Sequence, residues 1–269
     1  KYSNTGYALI SVVPDLSPDA EKKETKITYR IEEGDKYTIG RIEISGNTKT
    51  RDKVIRREIR LDEGDFFNAA ALKRSSERLR NLNYFETVDL QPKPKAEDKT
   101  VDLDINVKEK PTGFLSVSGG YSSVDRFIGM ADITQDNIFG RGQYIKVRAE
   151  LGGRSSFYEL MFRDPWFMDK PISFGASLYR TTREYSNFDR RATGTDFSFG
   201  KNLGEYWGVS VGYGFEKATI LNVKDDASQS IKDQAGTSTT SAVRLTITRD
   251  TRDNYIDPLK GSRNVLYLM

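Results

Sequence analysis

Residues 207–215 read Trp-Gly-Val-Ser-Val-Gly-Tyr-Gly-Phe, and this stretch decides the fold class of the second half of the chain. Large apolar side chains occupy every odd position, while the even positions carry only Gly and Ser. A period of two is the pattern of a β-strand with two unlike faces. The small, polar face is too wet for a sandwich core and suits a hydrated lumen, so the stretch predicts a strand of a membrane barrel.

The same alternation recurs through residues 111–269. We predict about nine strands, at residues 114–121, 127–135, 145–151, 157–163, 172–178, 193–202, 207–215, 243–247 and 264–269. A soluble β-sandwich would also alternate. Two features favour an antiparallel transmembrane barrel: aromatic residues such as Tyr206 and Trp207 gather near strand ends, and long loops at 181–192 and 216–240 alternate with tighter turns at 164–171 and 203–206.

The first 110 residues mix helix and strand. A strand at 37–45, in which Ile39 falls out of phase with Ile42, precedes helices at about 51–60 and 68–81 and strands at 85–91 and 100–109. Asn68 is the expected N-cap of the second helix. The order predicts a β-α-α-β-β domain over residues 34–110. Residues 6–14 and 25–31 repeat the pattern of 84–92 and 101–107, so we expect residues 1–33 to end a preceding copy and the chain to begin inside a longer protein.

The composition excludes several classes of function. Without Cys or His the chain lacks thiolate nucleophiles and both the commonest general base and the commonest transition-metal ligand. The net charge of +3 comes from interspersed Lys, Arg, Asp and Glu, which leaves no basic block for nucleic acid. No apolar run approaches the roughly 18 residues of a membrane helix, so we expect any membrane contact to come from strands.

Several motifs, in a fixed order, carry a family resemblance. The first half contains the segments Tyr-Thr-Ile-Gly-Arg-Ile at 37–42, Val-Ile-Arg-Arg-Glu-Ile-Arg at 54–60, Tyr-Phe-Glu-Thr-Val at 84–88 and Val-Lys-Glu-Lys at 107–110. The second contains Gly-Gly-Tyr at 119–121, Asp-Asn-Ile-Phe-Gly-Arg-Gly at 136–142, Asp-Pro-Trp-Phe at 164–167 and the segment 250–261. Together they resemble the BamA family, in which periplasmic POTRA domains precede an outer-membrane barrel.

The resemblance implies an organisation and a function. Residues 1–33 would be the C-terminal part of the penultimate POTRA domain, 34–110 the last POTRA domain, and 111–269 about half of a sixteen-stranded barrel. The family inserts β-barrel proteins into the bacterial outer membrane without catalysis or cofactor. Its implied partners are unfolded outer-membrane protein clients, accessory lipoproteins of the assembly complex, periplasmic chaperones and the lipid bilayer, and none is a nucleic acid.

Three sets of residues take their expected roles from the resemblance. The first barrel strand would be the lateral gate that templates client strands, and its residues are Phe114, Leu115, Ser116, Val117, Ser118, Gly119, Gly120 and Tyr121. The POTRA edge strand would bind clients through Phe85, Glu86, Thr87, Val88, Asp89 and Leu90. Arg56, Glu58 and Glu63 would dock a lipoprotein. Each set has a plainer explanation, namely glycine in a crowded lumen, a solvated sheet edge and a solvated charged face.

Two other functions remain open at this stage. A two-partner-type secretion pore shares the POTRA-plus-barrel plan and would export a polypeptide through the lumen. An enzyme built on a barrel would need a Ser/His or Asp/His set, which these residues do not supply.

Overall fold

The structure is a computed structural model that describes residues 4–9, 11–19 and 24–269. The strands are β1 (Ser11–Asp19), β2 (Glu24–Glu32), β3 (Thr38–Ser45), β4 (Phe85–Lys95), β5 (Thr100–Glu109), β6 (Gly113–Ser122), β7 (Arg126–Ile138), β8 (Gln143–Gly152), β9 (Ser155–Asp164), β10 (Ile172–Glu184), β11 (Asp189–Leu203), β12 (Trp207–Leu221), β13 (Gly236–Asp250) and β14 (Arg263–Leu268). The helices are α1 (Asp52–Arg56), α2 (Ala69–Asn81) and α3 (Gln229–Asp233). The chain divides into two compact units, Lys1–Lys110 and Pro111–Met269.

The first unit contains the predicted β-α-α-β-β order, which is confirmed. Its sheet has the order β3-β5-β4, with β3 parallel and β4 antiparallel to β5. Asn68 caps α2 as predicted, since its side chain accepts the N–H of Ala71 at 3.0 Å. The core is built from the apolar residues that alternate on β5 and from the inner faces of the helices, and includes Val54, Ile55, Leu79, Val101, Leu103, Ile105 and Val107.

Two details of this domain differ from the sequence pattern. α1 ends at Arg56 instead of about residue 60. The N–H groups of Glu58 and Ile59 donate to the carbonyls of Ile55 and Arg56, three residues earlier, which is the hydrogen-bond pattern of a 3-10 turn and not of an α-helix. The phase break at Ile39 corresponds to a register shift between Ile39 and Ile42 in the pairing with β5. A register shift of this kind changes the direction in which the following side chains point.

The predicted repeat is visible as a hairpin of β1 and β2. Pro14, which aligns with Pro92, pairs with Tyr29, and Pro92 pairs with Leu103 in the β4–β5 hairpin. Because Tyr29 aligns with Ile105, the registers of the two hairpins differ by two residues. The first strand begins later than the predicted residue 6, because residues 6–9 form turns and bends. Ile10 lies outside the described residues.

The second unit is one antiparallel sheet of nine strands in the order β14 to β6, each paired with its sequence neighbours. The predicted number of strands is confirmed. The loops are shorter than predicted: Thr181 pairs with Ala192 and Glu184 with Asp189, which leaves a turn of residues 185–188. The loop predicted at residues 216–240 comprises only residues 222–235 in the structure, and it contains α3, where no helix was predicted. At Thr181 to Glu184, polar side chains on both faces of the strand obscure the alternation.

The two faces of the nine-stranded sheet differ in chemistry. Directly paired residues lie on the same face, so the pairings define rows across the strands. One row is apolar almost throughout and consists of Leu115, Ile133, Val147, Leu160, Leu178, Thr195 and Phe215. The adjacent row, on the other face, is polar and consists of Ser116, Asp132, Arg148, Glu159, Tyr179, Gly194 and Glu216.

Most of the apolar row is exposed to solvent, and the polar row is linked by ion pairs. Lys146 and Arg148 contact Asp132 at 3.3 and 3.8 Å, and Arg190 contacts Glu216 at 2.6 Å. A sheet that is apolar outside and charged inside fits the wall of a lipid-embedded barrel. Among the residues described, no helix combines the length and apolarity needed to cross a bilayer.

Candidate strand-pairing sites

The predicted gate residues all lie on β6, which is an edge of the nine-stranded sheet. Within Pro111–Met269, which the structure describes throughout, β6 pairs only with β7. Its side chains are exposed from Gly113 to Tyr121, and Leu115 and Val117 reach 72% and 74% exposure. Among these nine strands β6 and β14 are the two edges, so the outer backbone N–H and C=O groups of β6 are those that an adjacent strand would pair with.

The seam between β6 and β7 has little side-chain packing at its centre. Gly119 pairs directly with Gly129, and Gly120 follows it on β6. A Cβ added at Gly120 or Gly129 would meet nothing within 4 Å, and one at Gly119 would meet only the carbonyl oxygen of Ile128 at 3.6 Å. No close approach therefore requires these glycines. Their effect is to remove the cross-strand side-chain contacts that stabilise other parts of the sheet.

The predicted client-binding residues lie on β4, which is an edge of the three-stranded sheet. Phe85 and Val88 point into the core, Leu90 is half-buried, and Glu86, Thr87 and Asp89 are exposed. The pairing with β5 shifts between Phe85 and Thr87, so Glu86 is the extra residue of a bulge. Beside this bulge lies a groove of about 390 Å³, lined by Arg80 of α2 and by residues Phe85 to Val88.

Two prolines determine which part of the β4 edge can accept a strand. Pro92 and Pro94 lie within the ladder, opposite Leu103 and Val101. Because proline has no N–H, both positions must face the open edge. The backbone alternates, so Leu90 and Val88 present their N–H groups on the same open side. The edge is therefore closed to pairing at Pro92 and beyond, and open toward the groove.

The opposite edge of the same sheet, β3, is covered by residues 61–67. The N–H of Ile39 donates to the carbonyl of Asp65 at 2.7 Å, and Gly64 donates to the carbonyl of Ile39 at 2.8 Å. Further along, the N–H of Ile42 donates to the carboxylate of Glu63 at 3.0 Å. The described residues therefore leave β4 as the sheet edge that is free to pair.

The three predicted docking residues do not share one surface. Arg56 is exposed, pairs with Asp52 at 3.1 Å and donates to the carbonyl of Ile42 at 3.5 Å. Glu63 is exposed and binds the N–H of the same residue. Glu58 differs from the expectation, because it is only 7% exposed and its carboxylate contacts Arg78 at 2.5 Å inside the domain. Glu58 therefore belongs to the interior of the domain, whereas Arg56 and Glu63 are exposed.

The comparisons with known proteins match both units. Residues 37–110 match the POTRA family model, described as a surface antigen variable number repeat, and residues 137–268 match the Omp85 superfamily domain. The BamA assembly factor of Nitratidesulfovibrio vulgaris is 34% identical over 261 residues, which are 97% of this chain and 33% of that protein. The chain thus spans about a third of the length of this curated relative.

Two solved structures share the fold. The structure of Haemophilus ducreyi BamA lacking POTRA domains 1–3 aligns with a TM-score of 0.72 at 21% identity, covering 99% of this chain and 54% of that one. CdiB from Acinetobacter baumannii aligns with a TM-score of 0.53 at 15% identity, covering 97% and 51%. At these identities both likenesses concern the fold alone.

These features define a class of outer-membrane protein in which a periplasmic POTRA domain precedes barrel strands. The chain belongs to the Omp85 superfamily, and its relatives include BamA assembly factors. The barrel strands lie in the outer membrane and the POTRA domain in the periplasm.

Sequence reasoning missed three contributors to these sites. Arg80 lines the groove, although its helical spacing alone did not point toward β4. Pro92 and Pro94 were visible in the sequence, and the rule that proline avoids ladder N–H positions could have located the usable part of the edge.

Proposed function

We propose that the whole protein inserts β-barrel proteins into the outer membrane, and that β6 templates the incoming strands. Two observations support this proposal: β6 is the first strand of the sheet, and the chain is 34% identical to the BamA assembly factor of Nitratidesulfovibrio vulgaris. A strand that enters hydrocarbon unpaired leaves its N–H and C=O groups unsatisfied, at a cost of several kcal/mol per group. The β6 edge supplies partners for those groups, and the weakly packed glycine seam lets the strand adjust as clients pair. Client folding provides the free energy, so no cofactor and no covalent catalysis is needed.

The POTRA unit would hold clients before insertion. We assign residues 34–110 to the last POTRA domain and residues 1–33 to the end of the preceding one, which the similar antiparallel hairpins β1–β2 and β4–β5 support. A client segment would add as a strand to β4 at residues 85–90, with side chains in the adjoining groove. Arg56 and Glu63 would contact an accessory lipoprotein, and periplasmic chaperones would deliver the clients.

A reversible cross-link tests the β6 template. The full-length protein would carry Ser118→Cys and a cysteine in its last barrel strand. Oxidation should reduce the yield of folded client at least about tenfold, equivalent to roughly 1.4 kcal/mol, and reduction should restore it. The matched control, Ser156→Cys with Thr182→Cys, joins directly paired positions on β9 and β10 and should leave insertion unchanged. Unchanged insertion with β6 cross-linked would rule out the template.

A further inference from the structure

One end of the nine-stranded sheet exposes apolar side chains at all of its turns. The turns joining β7 to β8, β9 to β10, β11 to β12 and β13 to β14 lie at the end where β6 begins, because consecutive strands are antiparallel. The exposed side chains are Phe139 at 84%, Met168 at 76%, Leu203 at 54% and Leu259 at 84%. At the opposite end Val124 and Tyr185 are less exposed than Phe139, Met168 and Leu259, at 54% and 43%, and Tyr185 stacks against Phe188 with ring centroids 4.4 Å apart.

The backbone at two of these tips is held in an unfavourable conformation. Phe139 has φ 50° and Met168 has φ 55°, in the left-handed region that non-glycine residues seldom adopt. The structure therefore holds a strained backbone at two of the four exposed apolar tips. Backbone strain of this kind persists only where the surrounding structure maintains it, and it is found mostly at functional sites.

The turn between β9 and β10 is continuous with the apolar face of the sheet. Phe167, next to Met168, packs against Phe174 at 4.9 Å and Phe199 at 6.1 Å between ring centroids. Phe174 and Phe199 pair directly, and Phe199 pairs with Val211 on the apolar face. This turn therefore extends the surface that faces lipid.

A cation follows each of the three most exposed tips. Arg141 lies two residues after Phe139, Lys170 lies two residues after Met168, and Lys260 follows Leu259 directly. All three cations are exposed. An apolar side chain beside a long cationic one matches the border between acyl chains and lipid phosphates, where Lys and Arg extend toward the headgroups.

We propose that this end of the sheet is a lipid-anchoring surface. Phe139, Met168 and Leu259 enter the acyl region of the adjacent leaflet, and Arg141, Lys170 and Lys260 bind lipid phosphate. A lipid surface fits better than a protein partner, because the tips are distributed over the turns of eight strands and adjoin the lipid-facing rows. The anchor is independent of the proposed insertase function, since it concerns how the barrel is held at the membrane border.

Site-directed spin labelling tests this surface. The 269 residues contain no cysteine, so Phe139→Cys, Met168→Cys and Leu259→Cys can be labelled singly in the full-length protein, after replacement of any cysteine elsewhere. The protein would be reconstituted in phosphatidylcholine and phosphatidylglycerol vesicles. The labels should collide more with oxygen, which concentrates in lipid, than with a water-soluble nickel chelate. A label at Asp226→Cys, in the loop at the opposite end, should show the reverse.

Two results would overturn the proposal. The first is labels at 139, 168 and 259 that meet the nickel chelate as freely as the label at 226. The second is protection from both reagents that arises only when accessory proteins are added, which would identify a protein-binding surface instead. The cations are tested by changing Arg141, Lys170 and Lys260 to Gln. Without these cations, the labels should lie closer to the aqueous phase, with fewer oxygen and more nickel collisions. If the depth of the labels in the bilayer does not change, the cations do not bind lipid phosphate.

Discussion

The carboxylate of Glu63 accepts the backbone N–H of Ile42 at 3.0 Å and so helps to cover the β3 edge of the POTRA sheet. We predict that Glu63→Lys destabilises the domain by about 1–2 kcal/mol, because a charge-assisted hydrogen bond is lost and a strand N–H is left open. Glu63→Gln keeps an acceptor oxygen and should cost about 0.5 kcal/mol. Hydrogen exchange of β3 in the full-length protein measures both, and equal protection in the two variants would contradict this role.

The same pair of variants separates folding from partner docking. If Glu63 contacts an accessory lipoprotein through its charge, Glu63→Gln should release that lipoprotein while β3 stays protected. Co-purification from detergent extracts measures the release. A complex that survives Glu63→Gln and dissociates only with Glu63→Lys would show that the residue acts through the fold, and would contradict docking at this position.

Client binding to β4 should depend on the N–H of Leu90. Leu90→Pro extends the series of Pro92 and Pro94 by one edge position and removes a donor, so we predict about tenfold weaker binding of an extended client peptide. Leu90→Val changes the half-buried side chain and keeps the donor, and should bind nearly normally. Fluorescence anisotropy with a labelled peptide from a barrel strand makes the comparison. Equal affinities for the two variants would exclude strand addition at this edge.

Glu109 makes the POTRA domain sensitive to acid. Burial opposes ionisation of its carboxylate, but hydrogen bonds from Thr50, Thr48 and Lys49 outweigh burial and lower its pKa to about 2. Because the pKa is lower in the folded state, the stabilisation is full above the unfolded pKa near 4.5 and is lost as the pH falls toward 2.

We predict that Glu109→Gln costs about 1 kcal/mol at pH 7, after discounting for solvent screening, and that this cost disappears near pH 2. Hydrogen exchange of residues 46–50, corrected for intrinsic rates, measures the difference in stability between the variant and the parent protein at each pH. A difference that persists unchanged from pH 7 to pH 2 would contradict the ionised role of this carboxylate.

Tyr179 fixes the register of three barrel strands. Its ring crosses Gly194 on β11, and its hydroxyl donates to Glu216 on β12 at 2.9 Å. A Cβ at Gly194 would collide with this ring, so Gly194→Ala should destabilise the barrel by about 1–3 kcal/mol. Gly212→Ala, whose Cβ would meet ordinary contacts near 3.5 Å, is the control and should change stability by less than about 0.5 kcal/mol. The temperature of heat-modified gel mobility measures both. Equal temperatures would contradict the register role.

The sequence predicted those features that repeat along a strand. β5 begins and ends where the alternation of Val101 to Val107 predicts, because each apolar side chain enters the core. Strand ends were predicted less well, as at Thr181 to Glu184, where both faces are polar and only the pairing with β11 keeps the chain extended. Hydrophobic periodicity reflects which side chains are buried, so it cannot predict the bounds of a strand where no side chain is buried.

The candidate sites depended more on pairing that the sequence does not show. Glu58 lies in a charged run that resembles a solvated face. In the structure it is buried and forms an ion pair with Arg78, which lies twenty residues away on α2. The bond between Glu63 and Ile42 is likewise a contact between distant segments. By contrast, the position of β6 as the first strand of the sheet could be predicted from the order of strands in the sequence.

Depletion of the full-length protein in its native host, with mass spectrometry of the outer membrane, tests the central claim most directly. If the protein is a general insertase, many unrelated β-barrel proteins should fall together, and unassembled clients should accumulate in the periplasm. If one secreted polypeptide is lost while the other barrels stay at normal levels, the insertase account is contradicted and a dedicated secretion pore is supported.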